Sequence, residues 1–136
     1  MLADLVPAAV QGLVRDVLLA GPAQEGAVAA LCEDAGVVVA GDLRAAAGQA
    51  RSDTILVLPG NLRLAPGWET ALREHLAAAP ANDAVLFGRV DGLAARLRAR
   101  PFGVLIGRER LLAASGDARL QALRRALGPR AKRLRP

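Results

Sequence analysis

Aromatic side chains are nearly absent from this sequence: Trp68, Phe87 and Phe102 are the full set in 136 residues, and there is no tyrosine. That leaves little for binding by ring stacking and requires a core of aliphatic side chains, alanine above all. Cysteine is as scarce. Cys32 stands alone, which excludes an internal disulfide and a cysteine-cluster metal site and fits a reducing compartment, the cytoplasm by default. Long apolar runs are missing too. The stretches 54–58 and 104–106 fall far short of the roughly 20 residues of a membrane span. The opening MLADLVPAAV carries no basic segment ahead of its apolar residues and so does not read as a signal peptide.

What is present is a chain of one-domain length, able to bury roughly 65–70% of its unfolded surface without a staple. Its net charge of +5 is unevenly placed, with residues 1–88 at −5 and residues 89–136 at +10. Such asymmetry can mark nucleic acid, an anionic membrane or an acidic partner. Here 17 of the 18 basic residues are arginine and alanine dominates elsewhere. This is the signature of GC-rich coding, and no helix-turn-helix, basic zipper or ribonucleoprotein motif accompanies it, so nucleic-acid binding is not the expected role.

Local patterns alternate. Leu2, Leu5, Val6, Ala9, Val10 and Leu13 follow helical spacing. Residues 16–20 are a nearly continuous apolar run closed by Gly21 and Pro22, the pattern of a strand buried on both faces. A helix is expected over 23–35, with Ala27, Ala30, Leu31 and Ala35 inward and Gly36 as its cap, and then a second short buried strand over 37–40. Asp42 fits the N-cap of an alanine-rich helix ending near Ala50. The best strand covers 54–58 and ends at Pro59, Gly60 and Asn61. Pro66 sits where a first helical position would be, and Trp68, Leu72, Leu76 and Ala79 give the inner face of the helix that follows.

A fourth strand is expected over 83–90 and a further one over 103–107. Helices follow over 108–114 and 117–127, and 91–101 is ambiguous. The basic segment 129–136 reads as a frayed tail or a marginal edge strand. Strands alternating with helices of about ten residues imply βαβ units, right-handed crossovers and a largely parallel sheet.

The segment ARSDTILVLPGNLRLAPGWETALREHL resembles the core of family 2 glycosyltransferases. In that family an acidic turn, here Asp53, precedes an apolar strand that delivers metal-binding carboxylates just before a proline-led helix. Upstream, LVPAAVQGLVRDVLLAGPAQEGAVAALCEDAGVVV resembles the preceding helix, strand and helix of that fold. Downstream, FGVLIGRERLLAASG resembles the strand and helix after the acceptor region. The resemblance implies a three-layer α/β/α domain of the GT-A, nucleotide-diphospho-sugar transferase type. Its sheet would be mostly parallel and would span residues 1–128 ahead of a basic tail at 129–136. It also implies that the sheet lacks the family's first strand.

The carboxylates the family uses are missing. Its metal motif, two aspartates separated by one residue, falls on Pro59, Gly60 and Asn61, of which only Asn61 offers a side-chain ligand, and a neutral one. A hard divalent cation is held by charged oxygen ligands, so no cofactor is expected, with magnesium or manganese implied only if the enzyme is active. The nucleobase loop, an aspartate before a Gly-Gly-Ser turn, falls on Gly21, Pro22, Ala23 and Gln24, and Glu25 is the nearest acid. The general base of the late helix falls on Arg119 and Leu120. Asp117 is the only carboxylate nearby, and it reads better as the N-cap of that helix. His75 reads as a solvent-facing residue and Cys32 as a buried small apolar one.

Three functions follow as expectations. The first is a non-catalytic glycosyltransferase-like module that binds a protein partner, or a second copy of itself, through an exposed sheet edge. The second is an active or weakly active glycosyltransferase that uses Asn61, Glu25 and Asp117 on a nucleotide sugar. The third is polyanion binding through the arginine-rich half.

Overall fold

The described elements run, in chain order, α1 (Leu2–Val10), β1 (Leu18–Ala20), α2 (Gly26–Asp34), β2 (Val38–Ala40), α3 (Leu43–Gln49), β3 (Thr54–Val57), α4 (Trp68–Ala78), β4 (Ala84–Phe87), β5 (Phe102–Gly107), α5 (Arg108–Ala113), α6 (Leu120–Leu127) and β6 (Lys132–Leu134). The computed structural model describes residues 2–22, 26–80, 82–89, 101–114, 119–128 and 131–134. The fold is mixed α/β with two sheets. β1 and β2 form a parallel pair, and the second sheet has the order β3-β5-β4-β6.

The largely parallel sheet expected from the alternation is corrected by β5. This strand runs antiparallel to both β3 and β4, and only β4 and β6 are parallel within the larger sheet. An apolar run carries no mark of its direction, so 102–107 reads the same either way in sequence. The basic C-terminal segment contributes β6 as an edge strand beside β4, and Leu134 of that strand is buried in the core.

Strand alternation divides the core between the two faces of the larger sheet. Ala84, Leu86 and Leu105 point to one face, where they meet Leu5 and Ala8 of α1, Trp68 and Leu72 of α4, and Leu134. Val85, Phe102, Val104 and Ile106 point to the other, against Ala47 of α3, Leu111 of α5, and Leu123 and Leu127 of α6. Gly88 permits one close approach: a Cβ there would collide with the Arg63 carbonyl oxygen and the Leu62 side chain. That contact lets Arg63 and Arg89 exchange two backbone hydrogen bonds, at 2.7 and 2.9 Å.

Capping explains the start of α3. The Asp42 carboxylate accepts from Ala45 N at 2.7 Å, a contact worth about 1 kcal/mol at a typical helix N-terminus. α4 begins at Trp68, two residues after Pro66, because Gly67, at φ 85°, takes the N-cap. α6 begins at Leu120 with Arg119 at its N-cap; Asp117, expected to cap it, lies outside the described residues.

Burial departs from expectation in the β1–α2–β2 unit. Cys32 is buried as expected, but Ala27, Ala30, Leu31 and Ala35 are exposed. β2 is not a buried strand: Val38 and Val39 are 48% and 38% exposed. β1 is only half-buried, with Ala20 exposed. These strands have interior composition but lie in a two-stranded sheet, against which α3 and α2 pack. No helix among the described residues is long and apolar enough to cross a membrane.

Candidate functional site

β1 and β3 each have a ladder on one side only among the described residues, β1 with β2 and β3 with β5. Their free sides line the same cavity of about 590 Å³, which is partly open to solvent. All three residues of β1 and all four of β3 contribute to its walls. α1 and the segment after it supply Leu5, Leu13 and Val14, and α4 supplies Leu72 and Leu76. Leu43, Ala46, Ala47 and Ala50, on or flanking α3, close the opposite side.

The backbone phase of each wall follows from single hydrogen bonds. Arg108 N donates to Asp53 O at 2.7 Å, and in an antiparallel ladder bonded residues alternate with non-bonded ones. Asp53, Ile55 and Val57 therefore face β5, and the N–H and C=O groups of Thr54 and Leu56 face the cavity. Val38 N donates to Val17 O at 3.3 Å and Gly21 N to Ala40 O at 2.9 Å. Residues 17, 19 and 21 thus face β2, and the backbone groups of Leu18 and Ala20 face the cavity.

A void of 590 Å³ left unfilled would cost on the order of 14 kcal/mol at about 24 cal/mol per Å³. A whole domain is stable by only about 5–15 kcal/mol. The space is consequently a cleft that water enters or a ligand fills. Its polar features lie at the rim, where the half-buried Asp16 accepts from Arg51 N through Oδ2 at 3.0 Å, and Gly21, Gly41, Asp42 and Gly60 also line it.

The residues singled out in the sequence are only partly gathered here. Gly21 and Gly60 reach the cleft. Asn61 is exposed in the turn after β3, and Asp53 is exposed just before it; neither lines the cleft. Glu25 and Asp117 lie outside the described residues. The 59–61 turn does not suit a divalent cation: the Pro59 carbonyl accepts from Leu62 N at 3.0 Å, Gly60 has no side chain, and Asn61 carries no charge. Among the described residues no group of three or more histidine, cysteine and carboxylate side chains could hold a metal ion.

His75 is the clearest correction. It is 1% exposed, not solvent-facing, and its Nε2 lies 2.8 Å from the Asn82 carbonyl oxygen. Because a carbonyl only accepts, Nε2 carries the proton, and Nδ1 is left buried with no partner. The ring ties the end of α4 to the turn into β4, a structural task. Other charges are also used within the fold. Arg110 pairs with the buried Asp83, Arg108 Nη1 donates to Ala50 O at 3.0 Å, and the Arg124 guanidinium lies 4.7 Å from the centre of the Phe102 ring.

The cleft itself escaped the sequence reading. Its signal was present in the two apolar runs 16–20 and 54–58, the first read as a strand buried on both faces and the second as the best strand of the chain. The chain matches no protein-family model, no curated protein and no solved structure.

Proposed function

We propose that this chain is a glycosyltransferase family 2-like module, of the three-layer GT-A type, that has lost sugar transfer and binds a polypeptide through the cleft between β1 and β3. The cleft carries this reading: its walls are apolar side chains and two unpaired strand edges, the chemistry that recognises backbone, and the 59–61 turn beside it has no anionic group to anchor a metal-bound diphosphate. The family likeness is supported by the position of the gap. A strand leading through α1 into β1 belongs beside β1 by the right-handed crossover rule, and the cleft lies there. Likeness of fold would not by itself give the activity.

A nucleotide-sugar reading draws on one observation: Gly21 and Gly60, at the positions where the resemblance puts base and metal recognition, line the same cleft. Calorimetric titration with uridine and guanosine diphosphate sugars, with and without manganese, separates the two. No heat of binding is expected, and an immobilised array of random decapeptides is expected to retain the protein on its apolar members. Manganese-dependent sugar-nucleotide binding that Asn61→Ala abolishes, or a blank array, would overturn the proposal.

A further inference from the structure

We infer that the face of the larger sheet covered by α6 carries a binding site for a phosphate-class oxyanion, held by Arg124 and Arg89 beside Phe87. The site is separate from the cleft and does not depend on the reading given to it.

Arg124 is the fixed point. Its guanidinium lies 4.7 Å from the centre of the Phe102 ring and 5.8 Å from that of Phe87, and these two residues are register partners on β5 and β4. Gly88 N donates to Pro101 O at 3.1 Å, so by the alternation of an antiparallel ladder Phe87 and Phe102 form the close, non-bonded pair. Their side chains leave the sheet next to one another and support the guanidinium from beneath. Its N–H donors, which lie in the guanidinium plane, meet no acceptor among the described residues.

Strand phase brings a second guanidinium to the same face. Arg89 follows Phe87 by two residues of extended chain, so both side chains leave the sheet on one side. Gly88, between them, faces the other side, where a Cβ would meet the Leu62 side chain. Arg63, next after Leu62, therefore emerges on the side of Arg89, and the two exchange backbone hydrogen bonds that set their Cα atoms about 5.5 Å apart. Arg63 makes a further contact within the chain, so Arg124 and Arg89 carry the site. Arg133 of β6 is on this face as well, opposite Val85.

Nothing in the elements around these arginines balances their charge. β4, β5, β6 and α6 contain no acidic residue. Asp83, just before β4, is buried against Arg110, and Asp91 and Asp117 lie outside the described residues. The fork of donors on an arginine matches a tetrahedral oxyanion, and each such hydrogen bond is charge-assisted. Phe102 is only 8% exposed and Phe87 is half-buried beneath Arg124. Neither ring is open to a base, so the site lacks the stacking by which single-stranded nucleic acid is held.

The probe is inorganic pyrophosphate, titrated into the full chain labelled with ¹⁵N at arginine, at about 0.1 M salt, where charges more than about 10 Å away are screened. The Nε–H signals of Arg124 and Arg89 are expected to shift saturably. Arg124→Lys keeps the charge but loses the fork and the flat contact with the rings, and should weaken binding by about tenfold or more. Arg89→Gln should do the same. Arg44→Gln takes the same charge from an exposed position on α3 and should change the affinity by less than about twofold. The wild-type titration stands as an independent readout if a variant misfolds. No saturable shift, shifts of equal size at arginines over the whole surface, or as large a loss from Arg44→Gln as from Arg124→Lys would each overturn the site. Binding of a thymidine decanucleotide without binding of pyrophosphate would also overturn it, in favour of a nucleic-acid strand.

Discussion

Replacing Ala46 by leucine is expected to stabilise the free protein by about 1–2 kcal/mol, from burial at about 0.8 kcal/mol per methylene reduced by imperfect fit. Ala46 is a buried residue of α3, and at a well-packed position such an enlargement costs about 1–3 kcal/mol. The sign is reversed because the Ala46 side chain borders the cleft, where the new carbon atoms displace water and find Leu18, Ile55 and other apolar neighbours. Leucine is nearly as good a helix former as alanine, so backbone preference contributes little. The same substitution occupies space that a bound polypeptide needs and should weaken binding of an apolar decapeptide by about tenfold or more. Urea unfolding and peptide titration on one preparation give both numbers. A loss of stability would mean that the space beside α3 is already filled.

His75→Ala is expected to cost about 3–4 kcal/mol in a urea unfolding experiment, the range for removing a buried ring. The ring is almost wholly enclosed, and its removal leaves a void and strips the Asn82 carbonyl oxygen of its donor, a further penalty where that group stays dry. His75→Phe separates the two terms. It restores the volume, omits the hydrogen bond and also removes the unpartnered Nδ1, so it should cost only about 1–2 kcal/mol. A loss below about 1 kcal/mol for alanine, the usual outcome at a surface position, would contradict the buried placement.

Much of the fold was legible in residue spacing. The apolar runs marked β1, β3 and β5, Asp42 marked the start of α3, and Trp68 with Leu72 marked the inner face of α4. Direction was not legible, because an interior strand such as Phe102–Gly107 presents the same apolar run whichever way it is traversed. His75 was misplaced for a related reason. It lies on the inner face of α4, three residues after Leu72 and seven after Trp68, but a polar ring reads as surface until the return of the chain at Asn82 supplies the acceptor that makes burial tolerable.

The candidate site was legible in one respect. Pro59, Gly60 and Asn61 do form the turn after β3, and that turn has no anionic side chain to give a cation. Everything else about the cleft depends on which strands are neighbours, a long-range property that no local pattern carries. The exposed valines of β2 and the half-buried leucines of β1 record the same fact. Their composition suits a sheet more complete than the one these residues build.

The central claim is that a strand position between β1 and β3 is open. Hydrogen exchange of the free protein measures this most directly, by comparing Leu56 with Ile55 and Val57 in β3, and Leu18 with Leu19 in β1. The account predicts that Leu56 and Leu18 exchange about tenfold or more faster than their neighbours, because their N–H groups meet solvent while the neighbouring amides open only with the sheet. Equal protection of both sets would contradict it, since Leu56 and Leu18 would then already have partners.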